Sequence, residues 1–251
     1  MPLLSQANLR NRRHNFSQKP CSFTKMVLGN FSYGDIEKRC LHALSSKTTG
    51  YIGSYRTAWL MGHKIRHAMI QRNDLYTLNG MVEADEIFIG GKQSLEDRRK
   101  AGSNKTPFLI ALEENSDGGP RFLSFEELET IYEQHVIPAI KHNIRLGSTI
   151  KSDGDGVYVK ASKAGYEHER LVAMKEPEKT YEHLKWINTI TSNLKRYLLS
   201  THHGVFPKYR KVFLAEFAYR FNRRHWPYQA FDRLLYACIQ AHPVPLPVLR
   251  A

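Results

Sequence analysis

Cysteine is scarce: Cys21, Cys40 and Cys238 are the only three in 251 residues. An odd, scattered set excludes a disulfide framework and a zinc site built from paired C-x-x-C hooks. No apolar run approaches the length that spans a bilayer, and the opening stretch MPLLSQANLRNRRHNFSQKP lacks the hydrophobic core of a secretion signal. A soluble, cytoplasmic protein without a membrane partner is expected. Internal repeats are also missing.

Acidic residues are outnumbered, 24 against 37 basic, for a net charge of +13. The distribution says more than the total. Residues 1–79 hold 12 basic and 3 acidic residues, residues 80–180 hold 14 and 18, and residues 181–251 hold 11 and 3. An acidic middle between two basic flanks suits a protein whose flanks grip a polyanion around a cation-binding centre. Nucleic acid is the expected partner. The hydrophobic content of 41% and the length are enough for a sizeable core.

Residues 1–30 are polar, basic and aperiodic, as in a poorly folded arm. Ser54 is placed to cap a helix through YRTAWLMGHKIRHAMIQ, with Ala58, Met61, Ile65 and Met69 at helical spacing and Arg56, Lys64, Arg66 and His67 on other faces. PFLIALEE reads as a strand, and S-x-x-E at 124–127 reads as a capping box opening a helix that Pro138 kinks or ends. Gly147 leads into STIKSD, a short strand ending at Asp153. The order strand, strand, helix, strand, helices predicts an α/β layer fold with a mixed sheet. PVPLP near the C-terminus reads as extended.

MVEADEIFIGGK, residues 81–92, reads as a strand running into a glycine turn, yet it carries three acids among apolar neighbours. Acids on a surface strand can simply face water; a carboxylate held in a low dielectric has to be paired or to bind a metal. The second informative segment is a predicted helix at 184–199. Ile187, Ile190, Leu194 and Leu198 form its apolar stripe, and Asn188, Ser192 and Lys195 line another face. Asn188 and Lys195 are seven residues apart, two turns, and so nearly in register.

Asp85, Asp153, then Asn188 some 35 residues on and Lys195 a heptad later, resembles the DDE transposase and integrase superfamily. The nearest branch is the insertion-sequence transposases with a D-D-N-K set. Supporting motifs are VEADEIFIGGK, TPFLIALEE, STIKSDGDGVY, GYEHERLV, SYRTAWLMGHKIRHAM and WINTITSNLKRYLLSTHHGVFPKYRKVFLAEFAYRFNRR. The resemblance, over roughly residues 50–226, implies an RNase H-like catalytic domain at 80–251 behind a reduced helical DNA-binding segment at 1–79. It implies Asp85, Asp153 and Asn188 as ligands to Mg²⁺ or Mn²⁺, in a two-metal site, and Lys195 as a phosphate contact. Glu86 would alternate to the other face. Partners would be double-stranded DNA, at the element's ends and at the target, and further copies of the chain. Arg56, Lys64, Arg66, Lys195, Arg196, Arg223 and Arg224 are the expected DNA contacts.

Other candidates compete less well. Asp153-Gly154-Asp155-Gly156 resembles part of a calcium loop without the remaining ligands, Asp155 is a second choice for the second acid, and His202-His203 suits a DNA contact or a turn better than zinc. Phe213, Phe217 and Phe221 read as core, and Arg210, Lys211 and Arg220 as a DNA path or a solvated face. Members of the family usually carry an N-terminal cysteine zinc ribbon, a further helix before Ser54 and a full third strand; here all three look lost. A decayed remnant that only binds DNA, and a stand-alone nuclease of the same fold, are the rival readings.

Overall fold

The computed structural model describes residues 55–90, 105–153, 156–170, 183–202 and 205–250. In chain order the elements are α1 (Tyr55–Asn73), β1 (Met81–Gly90), β2 (Lys105–Glu114), β3 (Pro120–Glu127), α2 (Glu133–Asn143), β4 (Thr149–Ser152), α3 (Gly156–Lys163), β5 (Glu167–Arg170), α4 (Lys185–His202), α5 (Arg210–Phe221), α6 (Ala230–Gln240) and α7 (Leu246–Arg250). The strands form one sheet in the order β3-β2-β1-β4-β5. β1 pairs antiparallel with β2 and parallel with β4, β2 antiparallel with β3, and β4 parallel with β5. A mixed five-stranded sheet of this order, flanked by helices, is RNase H-like.

Side-chain alternation explains why both faces are covered. In β2 the run Phe108–Leu112 is buried throughout: Phe108, Ile110 and Leu112 enter one core, and Leu109 and Ala111 enter the other. β1 divides likewise, with Val82 and Ala84 under α2 and α3, and Ile87 and Ile89 under α4 and α5. Ile187, Ile190, Leu194 and Leu198 seat α4 on that second face, as their spacing predicts. Each buried aliphatic side chain there contributes on the order of 2 kcal/mol.

Two expectations need correction, and a third is narrowed. The third strand is not truncated: β3 has eight residues, and Ser124 pairs with Ala111 and Phe125 with Ile110. The Ser124–Glu127 stretch therefore belongs to the sheet and caps no helix; α2 begins at Glu133, and the Ser124 hydroxyl bonds to Asn143. Pairing with the apolar β2 outweighs the local capping signal. Finally, α2 runs through Pro138 without ending there. Pro138 is exposed, in the second turn, and the carbonyl it cannot serve, that of exposed Gln134, has access to water.

α1 forms as expected, although its capping candidate, Ser54, lies outside the described residues. Ala58 and Met69 are buried, Met61 is 45% exposed, and His63 and Arg66 are buried. Met69 packs with Tyr219, Leu234 and Ala237 of α5 and α6. Beyond α1, Leu78 bridges to Ile144, with Leu78 N–H donating to the Asn143 carbonyl at 2.8 Å. Gly147, at a φ of 83°, makes the turn that feeds β4. The PVPLP stretch is irregular up to α7, which starts at Leu246. Among the described residues, no helix is long and apolar enough to cross a membrane.

Candidate active site

β1 and β4 lie side by side and parallel, with Met81 opposite Thr149, Val82 opposite Ile150 and Glu83 opposite Lys151. The paired stretch ends there; continued two residues, the same register would set Asp85 opposite Asp153, just past the end of β4, and the charge of Asp153 does act on Asp85. Alternation puts Glu83, Asp85, Lys151 and Asp153 on the face that carries α4, because Val82, Ala84 and Ile150 point into the opposite core. The short β4 thus delivers the second acid to the first.

Asp85 is half-buried, and its Oδ1 accepts the N–H of Glu86 at 2.8 Å. Burial pushes its carboxyl up to about 6. The Glu86 N–H opposes that rise, the charge of Asp153 adds to it, and the Lys195 ammonium opposes it. Asp153 and Lys195 are therefore both within electrostatic reach of Asp85. Glu86 alternates to the other face, beside the Tyr158 hydroxyl, whose pKa burial raises well above its usual value.

Asn188 and Lys195 are both exposed on α4, about a quarter-turn around the helix from its buried stripe. The Asn188 N–H bonds to the Leu184 carbonyl at 3.0 Å, and its own carbonyl accepts the Ser192 hydroxyl at 2.9 Å. Among the described residues there is no cluster of three or more His, Cys, Asp or Glu side chains that could hold a metal. The candidate set consists of two carboxylates and an amide.

The end of β4 is braced from both sides. His183 Nε2 donates to the Ser152 carbonyl at 3.1 Å, with Glu169 at 3.8 Å from its Nδ1, and the Ser152 hydroxyl meets His168 Nε2 at 2.8 Å. Glu83 is the acid that the sequence reading passed over. It is 1% exposed, accepts the N–H of Ile187 at 2.8 Å and lies against Glu114. Burial raises its carboxyl to about 7, while the Ile187 and Trp186 N–H groups oppose that rise and Glu114 adds to it. Its position two residues before Asp85, on the same face, was the signal available.

The expected DNA contacts separate into two groups. Arg56, Lys64, Lys195 and Arg196 are exposed. Arg66 is not on the surface: it is buried, donates to Glu216 at 2.6 Å and lies 4.6 Å from the Phe213 ring centroid. Arg223 is buried too, stacked 3.5 Å from the Tyr219 centroid and donating to the Tyr219 carbonyl. Arg224 donates to the carbonyls of Pro120, Arg121 and Phe221. Arg66 holds α1 to α5 and Arg224 holds β3 to the end of α5, because a guanidinium can satisfy several acceptors at once, while Arg223 packs within the end of α5. Arg210 is likewise buried and donates to the Thr106 hydroxyl at 2.6 Å, whereas Lys211 is exposed.

Phe213 is buried, and Phe217 and Phe221 pack against the same core. The His202 ring lies 4.1 Å from that of Phe213 between centroids, tilted by 52°. Asp155, His203, the calcium-like turn at 154–155 and the zinc-ribbon region lie outside the described residues.

The model of the family described as the ISXO2-like transposase domain matches residues 77–222. That span contains Asp85, Asp153, Asn188 and Lys195. No curated protein matches the chain.

Proposed function

This chain belongs to the ISXO2-like family of insertion-sequence DDE transposases, and on that premise we propose that it cuts and joins DNA at the ends of its element by metal-dependent phosphoryl transfer. What supports this reading is the parallel β1–β4 pairing, whose register, continued two residues, would set Asp85 and Asp153 side by side, together with the charge of Asp153 acting on Asp85. Two adjacent carboxylates, one of them half-buried and held toward protonation by its surroundings, are the donor set of a hard divalent cation.

In this reading Asp85 and Asp153 hold Mg²⁺ or Mn²⁺, and Asn188 adds a neutral carbonyl oxygen from α4. An amide donor binds such an ion less tightly than a carboxylate, leaving room for a DNA phosphate. The cation, when bound, supplies Lewis-acid polarisation of the phosphodiester and an activated water or hydroxyl nucleophile. Lys195 holds a phosphate as a compact point charge beside Asp85. Exposed Arg56, Lys64 and Arg196 add sequence-independent grip on the backbone. A homo-oligomer would bring the two element ends together.

The test is a strand-transfer assay with the inverted repeats that flank the gene as donor DNA, in Mg²⁺ or Mn²⁺. Metal-dependent cleavage followed by joining to a target duplex is expected. Salt-sensitive binding without cleavage would identify a DNA-binding remnant, and cleavage without joining a nuclease.

A further inference from the structure

Among the described residues, the first turn of α4 draws its N–H partners from outside the helix. The residue before it, Leu184, is buried and carries no acceptor, so the leading N–H groups of the helix need partners from elsewhere. Glu83 provides them from β1. Its Oε2 accepts the Ile187 N–H at 2.8 Å, and the Trp186 N–H also reaches its carboxylate. Asn188 is the next residue, and its N–H makes the first bond back to Leu184.

We propose that Glu83 is a positioning residue: by tying the start of α4 to β1, it sets where Asn188 stands relative to Asp85 and Asp153, a role that presupposes the metal-dependent transposition proposed above. Glu83 and Asp85 sit two residues apart on one face of one strand, so their relative position is fixed. Ile187 and Asn188 are equally fixed on one helix. A single directional contact therefore sets the offset between the two. The apolar stripe of α4 holds the helix to the sheet but is non-directional, and leaves sliding and rotation poorly determined.

The tie extends to the second acid. Glu83 lies against Glu114 of β2, and Glu114 accepts Lys151 Nζ at 3.1 and 3.2 Å. Lys151 belongs to β4, two residues before Asp153. Glu83 thus joins the strand of each acid to the helix of the amide, without touching a metal or DNA itself.

The test uses the full-length protein. In the wild type, the Trp186 and Ile187 amides should exchange with solvent slowly, although first-turn amides usually exchange fast. Glu83→Leu should raise the Mn²⁺ concentration that gives half-maximal cleavage by about 10- to 100-fold, the scale seen when residues supporting metal ligands are removed. Glu83→Gln, which keeps an acceptor oxygen, should restore it to within a few-fold, and metal-free DNA affinity should be unchanged. In an Asn188→Ala background, Glu83→Leu should add nothing. A Mn²⁺ requirement that Glu83→Leu leaves unchanged, or raises equally in the Asn188→Ala background, would overturn the proposal. Fast exchange of the two amides in the wild type would do so whether or not any variant folds. Absence of metal-dependent cleavage in the wild type would refute the transposition reading, while the two amides would still report on the contact.

Discussion

Asn222, which follows the last residue of α5, faces Leu123 in the edge strand β3 and completes its outward hydrogen bonds, accepting from the Leu123 N–H at 2.7 Å and donating to the Leu123 carbonyl at 2.9 Å. An edge strand presents unpaired backbone groups, and here a side-chain amide takes the place of a further strand. Asn222→Ala should cost about 2 kcal/mol, because two buried backbone groups lose their partners. Chemical denaturation measures this directly, and an unchanged midpoint would show that water replaces the amide without loss.

The Arg66–Glu216 pair joins residues 150 apart in sequence at 2.6 Å, with both side chains about nine-tenths buried. Removing one member leaves a buried charge alone, so Arg66→Met should destabilise the protein by about 3–5 kcal/mol. Arg66→Met with Glu216→Leu should recover most of that. In the folded double variant, the salt dependence of DNA binding should match the wild type, whereas Lys64→Ala should make the slope shallower by about one. A shallower slope in the Arg66 variant would return Arg66 to the DNA surface.

His63 gives the fold an acid limit. The ring is buried between Trp59, at 3.9 Å, and Tyr209, at 4.9 Å between centroids. Burial, aided by the charges of Arg66 and His67 and opposed by Glu216, lowers its pKa to about 4. An unfolded chain takes up this proton near pH 6.5, the folded one only near pH 4. The stabilisation is therefore complete above pH 6.5 and is lost as pH falls from 6.5 to 4, by about 3 kcal/mol in all. His63→Phe should remove that acid-limb loss, so its stability relative to the wild type should rise across this window. A constant difference between the two proteins would contradict the assignment.

Asn188 and Lys195 should separate kinetically. Asn188→Ala should raise the Mn²⁺ requirement and be partly rescued by excess Mn²⁺, and Asn188→Glu should lower it, because hard cations prefer carboxylates. Lys195→Ala should weaken DNA positioning with the metal requirement unchanged. Metal titrations of cleavage by the three variants distinguish these outcomes; identical titration curves would remove the separate roles.

The elements carrying the two acids were legible in the sequence because their signals are local: the β-branched and apolar run at 82–89, the glycine turn before β4, and the three-and-four spacing at 187–198. What the sequence hid is non-local. Ser124 has the local signature of a helix cap, and only the apolar partner strand β2 makes it part of β3. Arg66 and Arg224 look like a basic surface until their acceptors, contributed by distant segments, are in place. Glu83 was hidden for the same reason. Its partner is a helix start about a hundred residues away, and nothing in the strand itself says which acid turns toward a metal and which toward backbone N–H groups.

The most direct measurement is Mn²⁺ binding to the full-length protein, by calorimetry or by the electron paramagnetic resonance of the free ion. Saturable binding is expected, with Asp85→Asn and Asp153→Asn each lowering affinity at least tenfold while leaving the thermal transition and metal-free DNA affinity in place. Mn²⁺ binding that is absent, or that survives both substitutions unchanged, would contradict the assignment of Asp85 and Asp153 as the metal-holding pair.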